Sequence, residues 1–227
     1  MLEPFGTRLF VADGPTVPFL GIPYPTRMAV AVLADGGLFV WSPIAIDDAL
    51  AREVDALGPV RHLVAPNKLH HLFLGAWSER YPDAKLHAAP GLARRRRDLE
   101  FDAELGDAPD PAWGGEIAPV LVRGSFALEE VVFVHHPSRT ALVTDLVQRN
   151  DADAFTGWRR LAMRLVGVVG ENGSTPLEWR STFLRRSRAR EARARLLALR
   201  PEALVVAHGA CARSNAVPIL ERALAWM

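Results

Sequence analysis

Leu63-Val64-Ala65-Pro66-Asn67-Lys68-Leu69-His70-His71-Leu72-Phe73-Leu74-Gly75-Ala76-Trp77 is the stretch on which the fold turns. Arg61 to Ala65 is a short apolar run that reads as a buried strand. Leu72 to Arg80 then reads as a helix, stopped by Pro82. A strand feeding a helix through a short loop is the repeating unit of α/β folds, and ligands gather at the carboxyl ends of such strands. Here the loop delivers two adjacent imidazoles, His70 and His71. Imidazole is a borderline nitrogen donor suited to transition metals. Two solvated or capping histidines are the plainer reading of the loop taken alone.

Two distant stretches add to the metal reading. Arg139-Thr-Ala-Leu-Val-Thr-Asp145 reads as a strand ending on an aspartate, and Ala203-Leu-Val-Val-Ala-His208-Gly209 as a strand ending on a histidine. Each apolar run would be buried with its ligand-type residue at the tip. Three strand ends can therefore converge on one point. Cys211 is the only cysteine, which excludes a Cys/His zinc finger and an intrachain disulfide.

Around this loop the first half alternates strands and helices. Strands are expected at Thr7 to Asp13, Met28 to Ala34, Gly37 to Trp41 and Lys85 to Ala88, and helices at Ile46 to Leu57 and Gly91 to Asp98. The second half opens with strands at Glu116 to Arg123, Glu129 to His135 and Arg139 to Asp145. The last two flank a hairpin turn at His136-Pro137-Ser138, where both His135 and His136 read as solvated. Helices are expected at Asp151 to Val169, Phe183 to Leu199 and Val217 to Trp226, with Gly170 to Pro176 a loop and Ala203 to Ala207 a last strand. Two mixed halves of this kind suggest an α/β (α+β) fold in which two sheets pack face to face with helices outside, a four-layer αββα sandwich. No repeat or linker interrupts it, so residues 1–227 read as one domain.

Composition sets the outer bounds. Of the 227 residues 49% are hydrophobic, enough for a substantial core. A net charge of +1 gives no reason to expect polyanion binding over the whole surface. The arginines at 94–97 and in Arg185 to Arg195 read as solvated helix faces, and nucleic acid is not an expected partner. The start of the chain lacks a secretory signal pattern, and no apolar run approaches the ~20 residues of a membrane span. The expectation is a soluble, cytoplasmic protein acting on a small molecule, with no oligomeric state set by the sequence. Lys68 and Lys85 are its only lysines, so one of the two stands in the His-His loop.

These residues give the chain a resemblance to the metallo-β-lactamase fold superfamily, and to a divergent bacterial branch of it known only as a domain of unknown function. The hallmark loop of that superfamily reads His-x-His-x-Asp-His after a buried strand. The matching stretch here is Pro66 to His71, in which Pro66 and Lys68 replace the first two histidines, His70 replaces the aspartate, and His71 keeps the last. The bridging aspartate matches Asp145 and the final histidine matches His208. The histidine before the hairpin has no counterpart in Val122-Arg-Gly-Ser125. The resemblance implies that one of two metal sites is lost and the other kept, with His70, His71, Asp145 and His208 as ligands. It implies one divalent transition metal, zinc ahead of iron, and a mononuclear hydrolase of an ester, lactone or phosphodiester. Lys68, near the vacant first site, and Asp145 would take part in the chemistry. A binding or structural protein on a decayed enzyme scaffold is the alternative.

Overall fold

Alternation decides the layers. In β4 (Leu38–Trp41), Phe39 and Trp41 face one way and Leu38 and Val40 the other. In β9 (Glu130–His135), Val131 and Phe133 share a core with Phe39 and Trp41, while Val132 and Val134 face away from it. Both strands are buried on both faces, so each belongs to a sheet covered on two sides. The structure, a computed structural model, describes residues 1–19, 22–151, 157, 161 and 173–227.

The first sheet has seven strands in chain order: β1 (Glu3–Gly6), β2 (Leu9–Phe19), β3 (Ile22–Val32), β4, β5 (Val60–Ala65), β6 (Lys85–Ala88) and β7 (Ala103–Glu104). β1 to β4 are antiparallel, and β4 to β7 run parallel. The second sheet has the order β11-β10-β9-β8, with β8 (Ile117–Val122), β10 (Thr140–Val143) and β11 (Ala203–Val206). Between the sheets, Trp113 packs edge-on against Phe39 and Phe133, with ring centroids 5.3 and 5.9 Å away.

Helices cover the outer faces. α1 (Asp48–Asp55) starts where the Asp47 carboxylate accepts from Leu50 N at 2.8 Å. With α2 (Leu74–Arg80) and α3 (Leu92–Arg95) it packs on the first sheet through Leu50, Val54, Leu74, Trp77 and Leu92. α4 (Leu177–Thr182) is followed by α5 (Arg186–Ala198) and α6 (Ala216–Ala223). α5 turns Ala189, Ala192 and Leu196 onto the second sheet, leaving its arginines on the other faces. The four layers are those expected from the sequence.

Several boundaries differ from expectation. β2 and β3 are each 11 residues long and pair past a register shift between Gly14 and Val17, so the proline-rich stretch continues the ladder. Pro15 falls within that shift, and Pro18 stands opposite Pro23 beyond it. β7 and α4 are short elements that the apolar pattern did not mark. His135 is fully buried, its Nδ1 2.7 Å from Ser138 Oγ, which corrects the solvated reading; His136 is exposed as expected. The helix expected over 151–169, with Trp158, and residues 170–172 of the following loop lie outside the described residues apart from 151, 157 and 161. Among the described residues no helix is long and apolar enough to cross a membrane.

Candidate metal centre

Parallel register brings the first two side chains together. β10 and β11 pair with Val143 opposite Val206, and each chain continues two residues beyond that pair, to Asp145 and to His208. Their side chains meet at the same edge of the second sheet. β5 ends at Ala65 in the facing sheet, and its loop supplies His70. A backbone bond from Val131 N to Pro66 O, 2.8 Å, joins the two sheets at this edge.

The two imidazoles and the carboxylate form a three-residue cluster, each imidazole facing a different oxygen of Asp145, with one ligand atom from each residue within 4.8 Å of the others. His70 Nε2 lies 3.3 Å from His208 Nε2 and 3.3 Å from Asp145 Oδ2, and His208 Nε2 lies 3.3 Å from Asp145 Oδ1. A tetrahedral ion with bonds of about 2.0–2.1 Å to nitrogen and oxygen separates its ligand atoms by about 3.3 Å. The far ring nitrogens are held from behind. His208 Nδ1 is 2.7 Å from Pro25 O, and a carbonyl only accepts, so Nδ1 carries the proton and Nε2 turns a lone pair to the cluster in the neutral ring. His70 Nδ1 is 2.7 Å from Ser42 Oγ, at the end of β4, where Ser42 takes a left-handed φ of 52°. Arg27 Nη1 donates to Val206 O and Gly209 O, both at 2.7 Å, clamping the chain on either side of His208.

Asp145 is buried, which by itself raises a carboxyl pKa. The imidazoles of His70 and His208 outweigh that and hold it below its ordinary value, so it is a carboxylate. Tyr24 stacks edge-on against His208 at 5.2 Å, and burial together with Glu178 and Asp145 pushes its phenol up to about 12. The cluster opens into a cavity of about 210 Å³ whose walls include Val17, Leu69, Leu72, Phe73, Tyr24 and Trp179. Leu72 is 59% exposed there, an apolar side chain left at the mouth.

Of the four ligands expected, His70, Asp145 and His208 cluster. His71 lies outside the cluster, with its Nδ1 3.0 Å from Arg96 Nη1 and its carbonyl accepting from the same atom at 2.9 Å. Burial and the charges of Arg96 and Arg95 push its pKa down to about 4. The turn after Leu69 can aim one of two successive side chains at the cluster, and the guanidinium captures the other. Lys68 is not among the cavity-lining residues; a side chain at Gly91 would meet its Nζ at 3.9 Å. His62 and His87 are buried and pair with each other at 3.0 Å. Asn67 and Glu130, which sequence reasoning passed over, both hydrogen-bond next to Asp145.

Gly209 follows His208 with φ 100°, and a Cβ there would lie 2.1 Å from Arg149 O. Arg149 N in turn donates to His208 O at 3.0 Å. Gly209→Ala is expected to force these two segments apart and add strain of about 1–3 kcal/mol. A lowered melting temperature, together with weakened metal binding, is the expected result; an unchanged melting curve would show that the loop can shift freely.

Comparison with known proteins agrees with this layout. A family model described as a domain of unknown function (DUF4336) matches residues 17–93, which include β5 and the His70 loop. No curated protein matches the chain. Among solved structures, the DIM-1 metallo-β-lactamase superposes with a TM-score of 0.69 at 13% identity, over 100% of this chain and 95% of its own. A metallo-β-lactamase from Pontibacter korlensis gives 0.65 at 12% identity, over 100% and 97%. The FIM-1 enzyme from Pseudomonas aeruginosa, in a mono-zinc form, gives 0.60 at 12%, over 99% and 96%. The chain has the metallo-β-lactamase fold, as its sequence suggested.

Proposed function

We propose that the chain is a mononuclear metal-dependent hydrolase of a small ester, lactone or phosphodiester, with His70, Asp145 and His208 holding one divalent transition metal. The observation that supports this reading is the cluster of two imidazoles and a carboxylate, in pairwise contact at 3.3 Å, with a cavity in front of it. Structural zinc sites are closed by four protein ligands, whereas catalytic ones use three and leave a position open. Two imidazoles and a carboxylate suit zinc, with ferrous iron second. When bound, such a metal supplies Lewis acidity toward water and toward a carbonyl or phosphoryl oxygen.

The chain's own groups prepare the site. Pro25 and Ser42 orient the two imidazoles, and Asp145 contributes the negative charge that a dication needs. The Tyr24 phenol stays protonated at neutral pH beside His208. Val17, Leu69, Leu72 and Phe73 exclude water around an apolar part of the substrate. Lys68 would act on a substrate group reaching past Arg95, which lines the cavity and donates to Lys68 O at 3.3 Å. One observation favours the rival reading of a metal-holding protein without catalysis: His71, a ligand in the resemblance, is engaged by Arg96.

Elemental analysis of protein purified without chelator is expected to give no more than one equivalent of zinc or iron. A panel of ester, lactone and phosphodiester substrates is then expected to show hydrolysis that chelation removes and metal restores. Two equivalents would contradict the single site. One equivalent with no hydrolysis across the panel would favour the non-catalytic reading, and no uptake on titration would remove the metal altogether.

A further inference from the structure

Glu130 opens β9 opposite Val122 and is 1% exposed. Burial and the neighbouring Asp145 carboxylate both push its pKa up, so the position is a costly one for an acid. Its oxygens are nonetheless well supplied with donors. Oε1 accepts from Thr144 N at 2.8 Å. Oε2 accepts from Asp145 N at 2.8 Å, Leu146 N at 3.1 Å and Asn67 Nδ2 at 3.1 Å. The first three are the backbone amides of the turn that carries Asp145.

Asn67 makes the link to the other loop. Its Oδ1 accepts from Leu69 N at 2.8 Å and His70 N at 3.0 Å, an Asx-type turn that sets the backbone of His70. Two amide donors on one atom also fix which end of the side chain is oxygen. Its Nδ2 is therefore the end that faces Glu130 and lies 2.7 Å from Asp145 Oδ2. Asn67 and Thr144 are fully buried. One carboxylate thus gathers the backbone of the Asp145 turn directly and the backbone of His70 through Asn67.

We propose that Glu130 is a positioning residue, which with Asn67 fixes the His70 loop and the Asp145 turn relative to each other before any metal binds. The inference rests on the metal-site reading above. Glu130 touches neither donor nitrogen of the cluster and acts through the two loops. The site requires an acceptor-only group. A glutamine would turn its amide nitrogen toward one of the donors, either Thr144 N or the set at Oε2, and leave those N–H groups facing N–H.

The test compares the parent chain with Glu130→Gln. Zinc affinity is measured by competition, the visible spectrum of the cobalt-loaded chain reports coordination geometry, and thermal melting is recorded without metal. Glu130→Gln is expected to lose about 10–100-fold in affinity and to alter the cobalt bands at temperatures well below its melting point. Parent affinity and parent spectrum in the variant would overturn the proposal. Should the variant not fold, hydrogen exchange of the metal-free parent decides. Slow exchange at Leu69, His70, Thr144, Asp145 and Leu146 before metal is added is the expected result; fast exchange that only metal slows would refute preorganisation. A parent chain that takes up no metal would defeat the metal reading, while the exchange pattern would still report on Glu130.

Discussion

His208→Ala is expected to lower zinc affinity at least 10–100-fold, about 1.4–2.7 kcal/mol, and to abolish any chelator-sensitive hydrolysis. The substitution removes one of three donors and leaves Asp145 Oδ1 without the nitrogen 3.3 Å away. It also frees Pro25 O, which now faces His208 Nδ1. His136→Ala should change neither property, because His136 is exposed in the β9–β10 turn. His71→Ala is the more searching control. Its Nδ1 faces Arg96, so its loss should weaken binding far less than that of His208. Titration of the three variants beside the parent, near pH 7.5, separates these outcomes. Equal affinity in the parent and His208→Ala would remove His208 from the site. A loss in His71→Ala as large as in His208→Ala would mean that the loop turns over on binding and exchanges the Arg96 contact for the metal.

The legible part of this site was the part encoded locally. Asp145 and His208 each end an apolar run of strand length, and a parallel pairing of the two runs is enough to place them side by side. His70 and His71 could not be told apart in the same way. Which imidazole faces the cluster depends on a turn pinned by Asn67 and on Arg96, a residue 25 positions later in the chain. Asn67 carried a usable signal, since asparagine two and three residues before free amides often closes a turn. Glu130 carried none. At the head of Val131-Val132-Phe133-Val134 nothing local marks it as buried, and its hydrogen bonds to Thr144, Asp145, Leu146 and Asn67 come from residues distant in the chain. The four layers were legible for a similar reason to Asp145, because strands buried on both faces and helices with one apolar stripe leave few other arrangements. β7, two residues long, and α4, with no buried residue, have too little periodic pattern to be read.

Acidification should unfold the protein through histidines that lie away from the candidate site. His87 and His135 are 1% and 0% exposed. Burial is the main cause that pushes each pKa down to about 4, helped by His62 beside His87 and by Arg8 near His135. In the unfolded chain both return to about 6.5. Between those values the unfolded state binds more protons, so their contribution is complete above about pH 6.5 and is lost as pH falls toward 4. Each histidine can account for up to about 3 kcal/mol over that window, and the two together for a large part of a typical stability of about 5–15 kcal/mol. Carboxylates with lowered pKa values, such as Asp107, act below this range, and Glu130, with its raised value, opposes the trend. A variant comparison isolates one histidine. His135→Asn can keep a polar contact to Ser138 Oγ, now 2.7 Å from Nδ1, and removes a group that does not titrate freely in the fold. Denaturant unfolding from pH 7.5 to 4.5, in chelator, is expected to show a lower starting stability for the variant and a shallower slope, by up to about 1.4 kcal/mol per pH unit. Glu116 and His136 also face His135, and both remain in the variant, so their contributions cancel in the comparison. Equal slopes would mean that the native fold takes up the His135 proton without penalty, through the Nε2 that has no partner among the described residues.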